Sequence, residues 1–132
     1  MKSGLDHARE LLLKAEHDVR IAEIGLEHDG PLDTVCFHLQ QAAEKVLKAA
    51  LTCRDIVYPL THDLINLLDL AEPEFPALGE FRQALPGFFP YAVRMRYDGA
   101  LYPSREETVA ALEIVRRLQE GVYELLPPEA RP

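Results

Sequence analysis

CFHLQQAAEKVLKAAL, residues 36–51, has the pattern of a long amphipathic helix. It lies in a proline-free window, residues 32–58, and its apolar residues recur at helical spacing so that they share one wide face. The residues of this face are Val35, Cys36, Leu39, Ala42, Ala43, Val46, Leu47, Ala50 and Leu51. A helix with so wide an apolar face needs neighbours to cover it, so this stretch predicts a helix packed inside a bundle.

Two further proline-free windows, residues 1–30 and 104–126, predict the helices that flank it. The first window carries a heptad stripe of Leu5, Ala8, Leu12, Ala15, Val19, Ala22 and Leu26. The sequence DGP at 29–31 ends this helix, and Pro31 suits the first position of the next one. Because the connection is short, we expect the first two helices to form an antiparallel hairpin.

The last window predicts a helix that begins at Ser104, with Glu107 completing a capping box. Its expected apolar face is Ala111, Ile114, Leu118, Val122 and Leu125, and it stops at the two prolines 127 and 128. Between the windows, Thr61 is a plausible N-cap for a short third helix. Residues 72–77 predict a loop, and residues 78–97 a kinked or two-piece fourth helix. The expected fold is all-α, a single domain over 1–132 formed by an up-and-down four-helix bundle with an additional short helix.

The composition is that of an acidic soluble domain, with 132 residues and a formal net charge of -8. This balance argues against broad binding to nucleic acid or to an anionic membrane, which requires concentrated Lys and Arg. One local exception is YAVRMRYDG, residues 91–99, which carries a net +1 through Arg94 and Arg96. No apolar run reaches the length of a membrane span or a signal peptide, so we expect a cytoplasmic protein.

Metal and cofactor chemistry find no support in the sequence. None of the five histidines follows a glutamate by three residues, and no histidine or cysteine cluster suits zinc. Cys36 and Cys53 would lie about 25 Å apart on one helix, too far for a disulfide. We therefore expect no metal, no cofactor and no disulfide.

Three elements, in this order, resemble the HEPN family (higher eukaryotes and prokaryotes nucleotide-binding domain). They are QQAAEKVLKAAL in the second helix, THDLINLL at the start of the third, and VRMRYDG before the last helix. The most specific part is the combination of Gln41, Ala42, Glu44, Lys45 and Lys48. The resemblance covers almost the whole chain and points to the bacterial stand-alone type, which is associated with minimal nucleotidyltransferases.

The resemblance implies a protein that forms a homodimer and partners a minimal nucleotidyltransferase in a toxin–antitoxin-like system. Active members are metal-independent ribonucleases with an Arg-x4-6-His motif. Counted from Arg96 the histidine would fall at Leu101, Tyr102 or Pro103, and from Arg94 at residues 99–101, none of which is histidine. Tyrosine is a poor substitute for the general acid–base that the motif supplies. We therefore predict a member without a catalytic residue of that motif.

The polar residues of the second helix leave two interpretations open. Gln41, Lys45 and Lys48 share one helical face, and Glu44 can pair with Lys48 four residues on. The face is either a solvated surface or a polar seam, between helices or between protomers, that meets the arginines of the fourth helix. His62, expected in the first turn of the third helix, is either a packing residue or part of this site.

The sequence is compatible with three functions. The leading one is a binding module in which Arg94, Arg96 and Tyr97 contact a nucleotide phosphate, an RNA or the partner protein. In it, Gln41, Lys45, Lys48 and His62 line the same cleft. The first alternative is a ribonuclease using Arg96 with Tyr102 or His62. The second is a structural dimer whose arginines pair with acidic residues of the first and last helices.

Overall fold

The computed structural model describes residues 2–132, and all regular secondary structure in that range is helical. The α-helices are α1 (Gly4–Glu27), α2 (Leu32–Cys53), α3 (Leu64–Ala71), α4 (Phe89–Ala92), α5 (Arg94–Tyr97) and α6 (Arg105–Leu125). Three 3₁₀ segments accompany them, at Pro76–Phe81, Leu85–Phe88 and Pro128–Ala130. The predicted all-α bundle is confirmed.

The hairpin of α1 and α2 is closed by a tight turn at residues 28–31. Asp29 adopts a positive φ of 54°, and the Gly30 N–H donates to the Gly25 carbonyl at 2.6 Å. A Cβ on Gly30 would lie 3.1 Å from that carbonyl oxygen, so a larger residue there would require the turn to shift slightly. Pro31 precedes α2 as its N-cap residue instead of occupying the first helical position.

The core forms around α2, which packs against α1, α3, α4 and α6. All nine residues of its predicted apolar face are buried, and so is the α1 stripe except for the half-buried Leu5. The predicted capping box of α6 is present, because Ser104 Oγ accepts from the Glu107 N–H at 3.0 Å. At the end of α6 the expectation was wrong by one residue, since Leu125 is exposed and Leu126 is buried.

The fourth side of the bundle differs from the predicted kinked or two-piece helix. Residues 76–97 form two 3₁₀ segments and two short α-helices instead of one interrupted helix. Pro76, Pro86 and Pro90 each lie in the first turn of one of these pieces, because a proline there removes no intrahelical hydrogen bond. The buried side chains of this segment still cover the core; they are Leu78, Phe81, Leu85, Phe88, Tyr91 and Ala92.

The start of α3 also corrects the sequence-based expectation. Its N-cap residue is Asp63, whose carboxylate accepts from the Ile65 N–H at 2.9 Å. Thr61 Oγ1 accepts from the Asp63 N–H at 3.0 Å and stabilises the turn before the helix. His62 therefore precedes the cap and does not lie in the first helical turn. Its side chain is free to reach α2.

Both cysteines are free thiols, as expected from their separation. None of the helices in residues 2–132 combines the length and the apolar character that crossing a bilayer requires.

Candidate functional site

Arg96 lies on α5, a single helical turn without a buried residue. Its guanidinium covers the ring of Phe37 at 4.5 Å from the ring centroid and lies 5.6 Å from that of Tyr97. Within residues 2–132 neither Arg94 nor Arg96 forms an ion pair with a carboxylate. The pairs with acidic residues of the first and last helices, expected for a purely structural dimer, are thus not formed in the described part of the chain.

A pocket of about 330 Å³ opens beside this guanidinium at the N-terminal half of α2. Its lining consists of Asp33, Thr34, Phe37, His38 and Arg96. The Asp33 carboxylate accepts from the Thr34 N–H at 2.8 Å, so it is held by its own helix end. The pocket thus combines a cation, an imidazole and an aromatic ring with one carboxylate, that of Asp33. Its guanidinium is the group suited to an anionic ligand.

The imidazole of this pocket is held by a nearly buried carboxylate from α1. Asp18, only 8 % exposed, contacts His38 Nδ1 at 2.9 Å through its Oδ1. Its Oδ2 accepts from the Lys45 ammonium. A single carboxylate thus bridges two residues of α2, fixing the ring of His38 and joining the two long helices.

A second carboxylate cluster lies further along α2. Glu44 is 5 % exposed; its Oε2 accepts from Lys48 Nζ at 3.0 Å, which confirms the predicted pair. Its Oε1 lies 2.9 Å from His62 Nδ1, and the buried Gln40 amide donates both to that oxygen at 3.3 Å and to the His62 carbonyl at 3.1 Å. This cluster fastens the segment before α3 onto α2.

Gln41, Lys45 and Lys48, expected to form one polar seam, are therefore divided between the Asp18 cluster and the Glu44 cluster. Gln41 donates to Gln40 at 2.8 Å, Lys45 pairs with Asp18, and Lys48 with Glu44. The lysine charges are neutralised by buried carboxylates, while Arg96 approaches α2 at Phe37. Among the predicted site residues, Arg96 therefore contacts a different part of α2 from the part that carries Lys45 and Lys48.

Tyr102, the residue at the histidine position of the ribonuclease motif, has a structural contact. Its hydroxyl accepts from the Leu32 N–H at 2.9 Å. That N–H lies in the first turn of α2, where Pro31 makes no side-chain cap. Tyr102 thus supplies the missing cap of α2.

Sequence reasoning missed Asp18 and His38. One signal was present: Asp18 lies between Ala15 and Ala22 on the buried stripe of α1, where an uncharged residue would be expected. A carboxylate in such a position needs a partner on the facing helix. The sequence does not show which of the polar residues on α2 supplies it.

Other chemistry-bearing groups lie apart from this pocket. Burial raises the pKa of the Cys36 thiol, which contacts Thr108 Oγ1 at 3.3 Å, so the reactive thiolate is disfavoured. Among the described residues, no three histidine, cysteine or acidic side chains converge in a way that could hold a metal ion.

The described arrangement is a helical bundle with an arginine–histidine pocket against its second helix, and comparison with known proteins identifies its family. The model of the HEPN domain matches residues 8–125, and the chain therefore belongs to the HEPN family. The crystal structure of TT1696 from Thermus thermophilus is similar to it, with a TM-score of 0.80 and 28 % sequence identity. The match covers 91 % of this chain and 98 % of TT1696. A search of curated proteins finds no match. Family membership supports a nucleotide-interacting or ribonuclease-like module.

Proposed function

We propose that this protein is a nucleotide-binding and interaction module that acts as a homodimer with a minimal nucleotidyltransferase, in a toxin–antitoxin-like system of the cytoplasm. The observation that carries the proposal is the guanidinium of Arg96, held over Phe37 at 4.5 Å with no carboxylate partner in residues 2–132. This guanidinium is a positive charge available to an external anion, on a chain whose net charge is -8.

The stack on Phe37 prepares Arg96 for phosphate. An aromatic ring contacts the flat face of a guanidinium and leaves the N–H groups at its edge available. These donors match two phosphate oxygens at once. Arg94 and Tyr97 on the same short helix supply further contacts to the ligand or to the partner protein. Gln41, Lys45, Lys48 and His62 support the site through the two carboxylate clusters.

Calorimetric titration with AMP, ATP and inorganic phosphate tests the nucleotide-binding part. We expect Arg96→Ala to weaken nucleotide binding about tenfold or more, in line with the loss of a charge-assisted contact. Arg117→Ala is the matched control, because Arg117 also lies over an aromatic ring (Phe81, 5.8 Å) but pairs with Glu80. Failure of the wild type to bind any of the three ligands would remove the proposal's main support.

The partner and the dimer are tested separately. Sedimentation of the purified chain should give a mass about twice 14.9 kDa. Co-expression with the product of an adjacent nucleotidyltransferase gene should give a complex that survives size-exclusion chromatography. If the chain is a monomer and forms no complex with this partner, the two-component role is excluded, while the proposed nucleotide site is unaffected.

A second candidate function, metal-independent RNA cleavage, is favoured by one observation: His38 lines the same pocket as Arg96. Neither Tyr102 nor His62 does, since the first caps α2 and the second binds Glu44. With Nδ1 held by Asp18, Nε2 of His38 could take the proton of a ribose 2′-hydroxyl. That oxygen would attack phosphorus, and the departing 5′-oxygen would take a proton from water, leaving a 2′,3′-cyclic phosphate.

Cleavage of an RNA oligonucleotide in EDTA tests this second candidate. If His38 is the base, the wild type should cleave the RNA and His38→Ala should not. The control variant His28→Ala, at an exposed histidine, should cleave like the wild type. Absence of cleavage by clean wild-type protein, or cleavage that persists in His38→Ala, rejects the histidine as the base.

A further inference from the structure

A small apolar groove lies between the end of α1 and the start of α2, with a volume of about 230 Å³. Its apolar walls are formed by Ile21, Ile24, Pro31 and Val35. Ile21 is 50 % exposed and Ile24 is 37 % exposed, although both are large aliphatic side chains. The groove therefore presents apolar surface that nothing in the described chain covers.

The groove adjoins the arginine pocket across a ridge on α2. Thr34 and His38, one helical turn apart, line both cavities. Arg96 and Phe37 lie on one side of this ridge, and the isoleucines of α1 lie on the other. A ligand anchored by a phosphate at Arg96 would thus pass over a hydroxyl and an imidazole before reaching apolar surface.

The dimensions of the groove limit its occupant. Its volume is below the roughly 300 Å³ at which pockets for whole drug-sized molecules begin. A docked helix needs a long groove that takes anchors over two turns, from i to i+7. Gly25 and Gly30, which are hydrogen-bonded in the turn between α1 and α2, also line this groove, so it lies beside the turn and does not run along two helical turns. The space suits one planar ring system.

We propose that this groove, formed by Ile21, Ile24, Pro31 and Val35, receives the base of a nucleotide whose phosphate is bound by Arg96. This rests on the proposed nucleotide-binding function and extends it. The ribose then lies over Thr34 and His38, whose Nδ1 is engaged by Asp18 so that Nε2 remains for the ligand. Because Thr34 and His38 are the polar side chains of the groove, apolar contact dominates, and discrimination among bases is weak.

Titration calorimetry with ribose 5-phosphate, AMP and CMP tests the assignment. We expect AMP to bind about tenfold more tightly than ribose 5-phosphate, with CMP close to AMP. Ile21→Ser and Ile24→Ser should each remove most of that advantage and leave ribose 5-phosphate binding unchanged. Leu13→Ser is the matched control, because Leu13 is on the same helix, is 42 % exposed and lies outside the groove.

The outcomes separate this inference from the function on which it rests. If ribose 5-phosphate and AMP bind equally, or if both serine variants weaken the two ligands alike, the base does not use the groove. A change of mass in sedimentation caused by Ile21→Ser, with the AMP advantage intact, would assign the groove to contact between copies and overturn the inference. If inorganic phosphate and all nucleotides fail to bind, the nucleotide-binding function fails first.

Discussion

At the scale of single residues, the most consequential group outside the pocket is the carboxylate of Glu44. It neutralises Lys48, whose side chain is only 14 % exposed and whose ammonium also lies 5.0 Å from the Tyr58 ring centroid. It also holds His62, and through it the segment before α3. Removing one member of such a buried pair leaves an uncompensated charge, which costs more than the pair contributes.

Glu44→Gln should therefore lower the free energy of unfolding by about 3 kcal/mol. Urea denaturation measures the change. The control is Glu113→Gln, an exposed glutamate of α6 without an ion pair among the described residues, for which we expect a change within about 0.5 kcal/mol. Adding Lys48→Met to Glu44→Gln should restore part of the loss. A cost below about 1 kcal/mol would show that water reaches the cluster.

Tyr91 gives a second prediction at this scale. Burial first, and then Cys36 and Glu107, raise the pKa of this phenol to about 12. Above pH 10 the unfolded chain ionises the phenol while the folded chain keeps it protonated, so the unfolded state binds fewer protons. Stability should fall between pH 10 and pH 12, by about 1.4 kcal/mol per unit from this group.

Urea midpoints at pH 9 and pH 11 test the effect of Tyr91. Between pH 9 and pH 11 the Tyr91→Phe variant should lose less stability than the wild type. The control Tyr97→Phe, in which the replaced residue is 78 % exposed, should lose as much as the wild type. An equal alkaline loss in wild type and Tyr91→Phe would contradict the assignment.

At the scale of the helices, two capping boxes fix where the long helices begin. In α1, Ser3 and Asp6 exchange hydrogen bonds, as Ser104 and Glu107 do in α6. The backbone N–H of Ser104, followed by its side chain, lowers the pKa of the Glu107 carboxyl. The stabilisation from the ionised Glu107 carboxylate is therefore fully present above the ordinary carboxyl pKa. It is lost as the pH falls through the lowered pKa of Glu107 in the folded protein.

Ser104→Ala should destabilise the protein by about 1 kcal/mol at neutral pH, because the Glu107 N–H loses its acceptor. Glu106→Gln is the matched control: it lies in the same turn, makes no cap bond and should cost only a few tenths of a kcal/mol. Thermal unfolding of both variants is the measurement. Equal losses would mean that the charge of the first turn, and not the cap, sets the stability of this helix end.

The sequence predicted those elements whose formation depends on their own pattern. Heptad spacing and caps located α1, α2 and α6, since long helices form wherever such a stripe runs without proline. The helix expected over residues 78–97 was misjudged because the prolines at 86 and 90 allow several short helices as readily as one kinked helix, and core contacts select among them. The cap at Asp63 was missed because Thr61 is an equally good capping residue in sequence terms.

The site was predicted only in part for a related reason. Arg96 stood out as a basic residue in an acidic chain. The Asp18–His38 contact joins residues on different helices, and its partner depends on how α1 rotates against α2. Lys45 and Lys48 were expected on one face of α2, but the sequence could not show that their partners are Asp18 and Glu44.

On the scale of the whole molecule, α2 and α5 differ in how much of the core they form, and the proposed ligand-binding arginine lies on the less buried of the two. Helix α2 contributes thirteen buried residues and packs against α1, α3, α4 and α6. Helix α5, which carries the arginines, has none. Local stability follows buried contacts, so the segment that presents Arg96 opens more easily than the helix against which it rests.

Hydrogen exchange measures this difference. Amides in the middle of α2 should exchange only through global unfolding, with the free energy found by urea denaturation, whereas those of Arg94–Tyr97 should exchange by local opening at far lower cost. Saturating AMP should slow exchange in α5 much more than its general stabilisation slows it in α2, because the ligand joins Arg96 to α2. The control is Arg96→Ala, in which AMP should leave α5 unprotected. Protection of α5 equal to that of α2 in the free protein would contradict this difference in local stability.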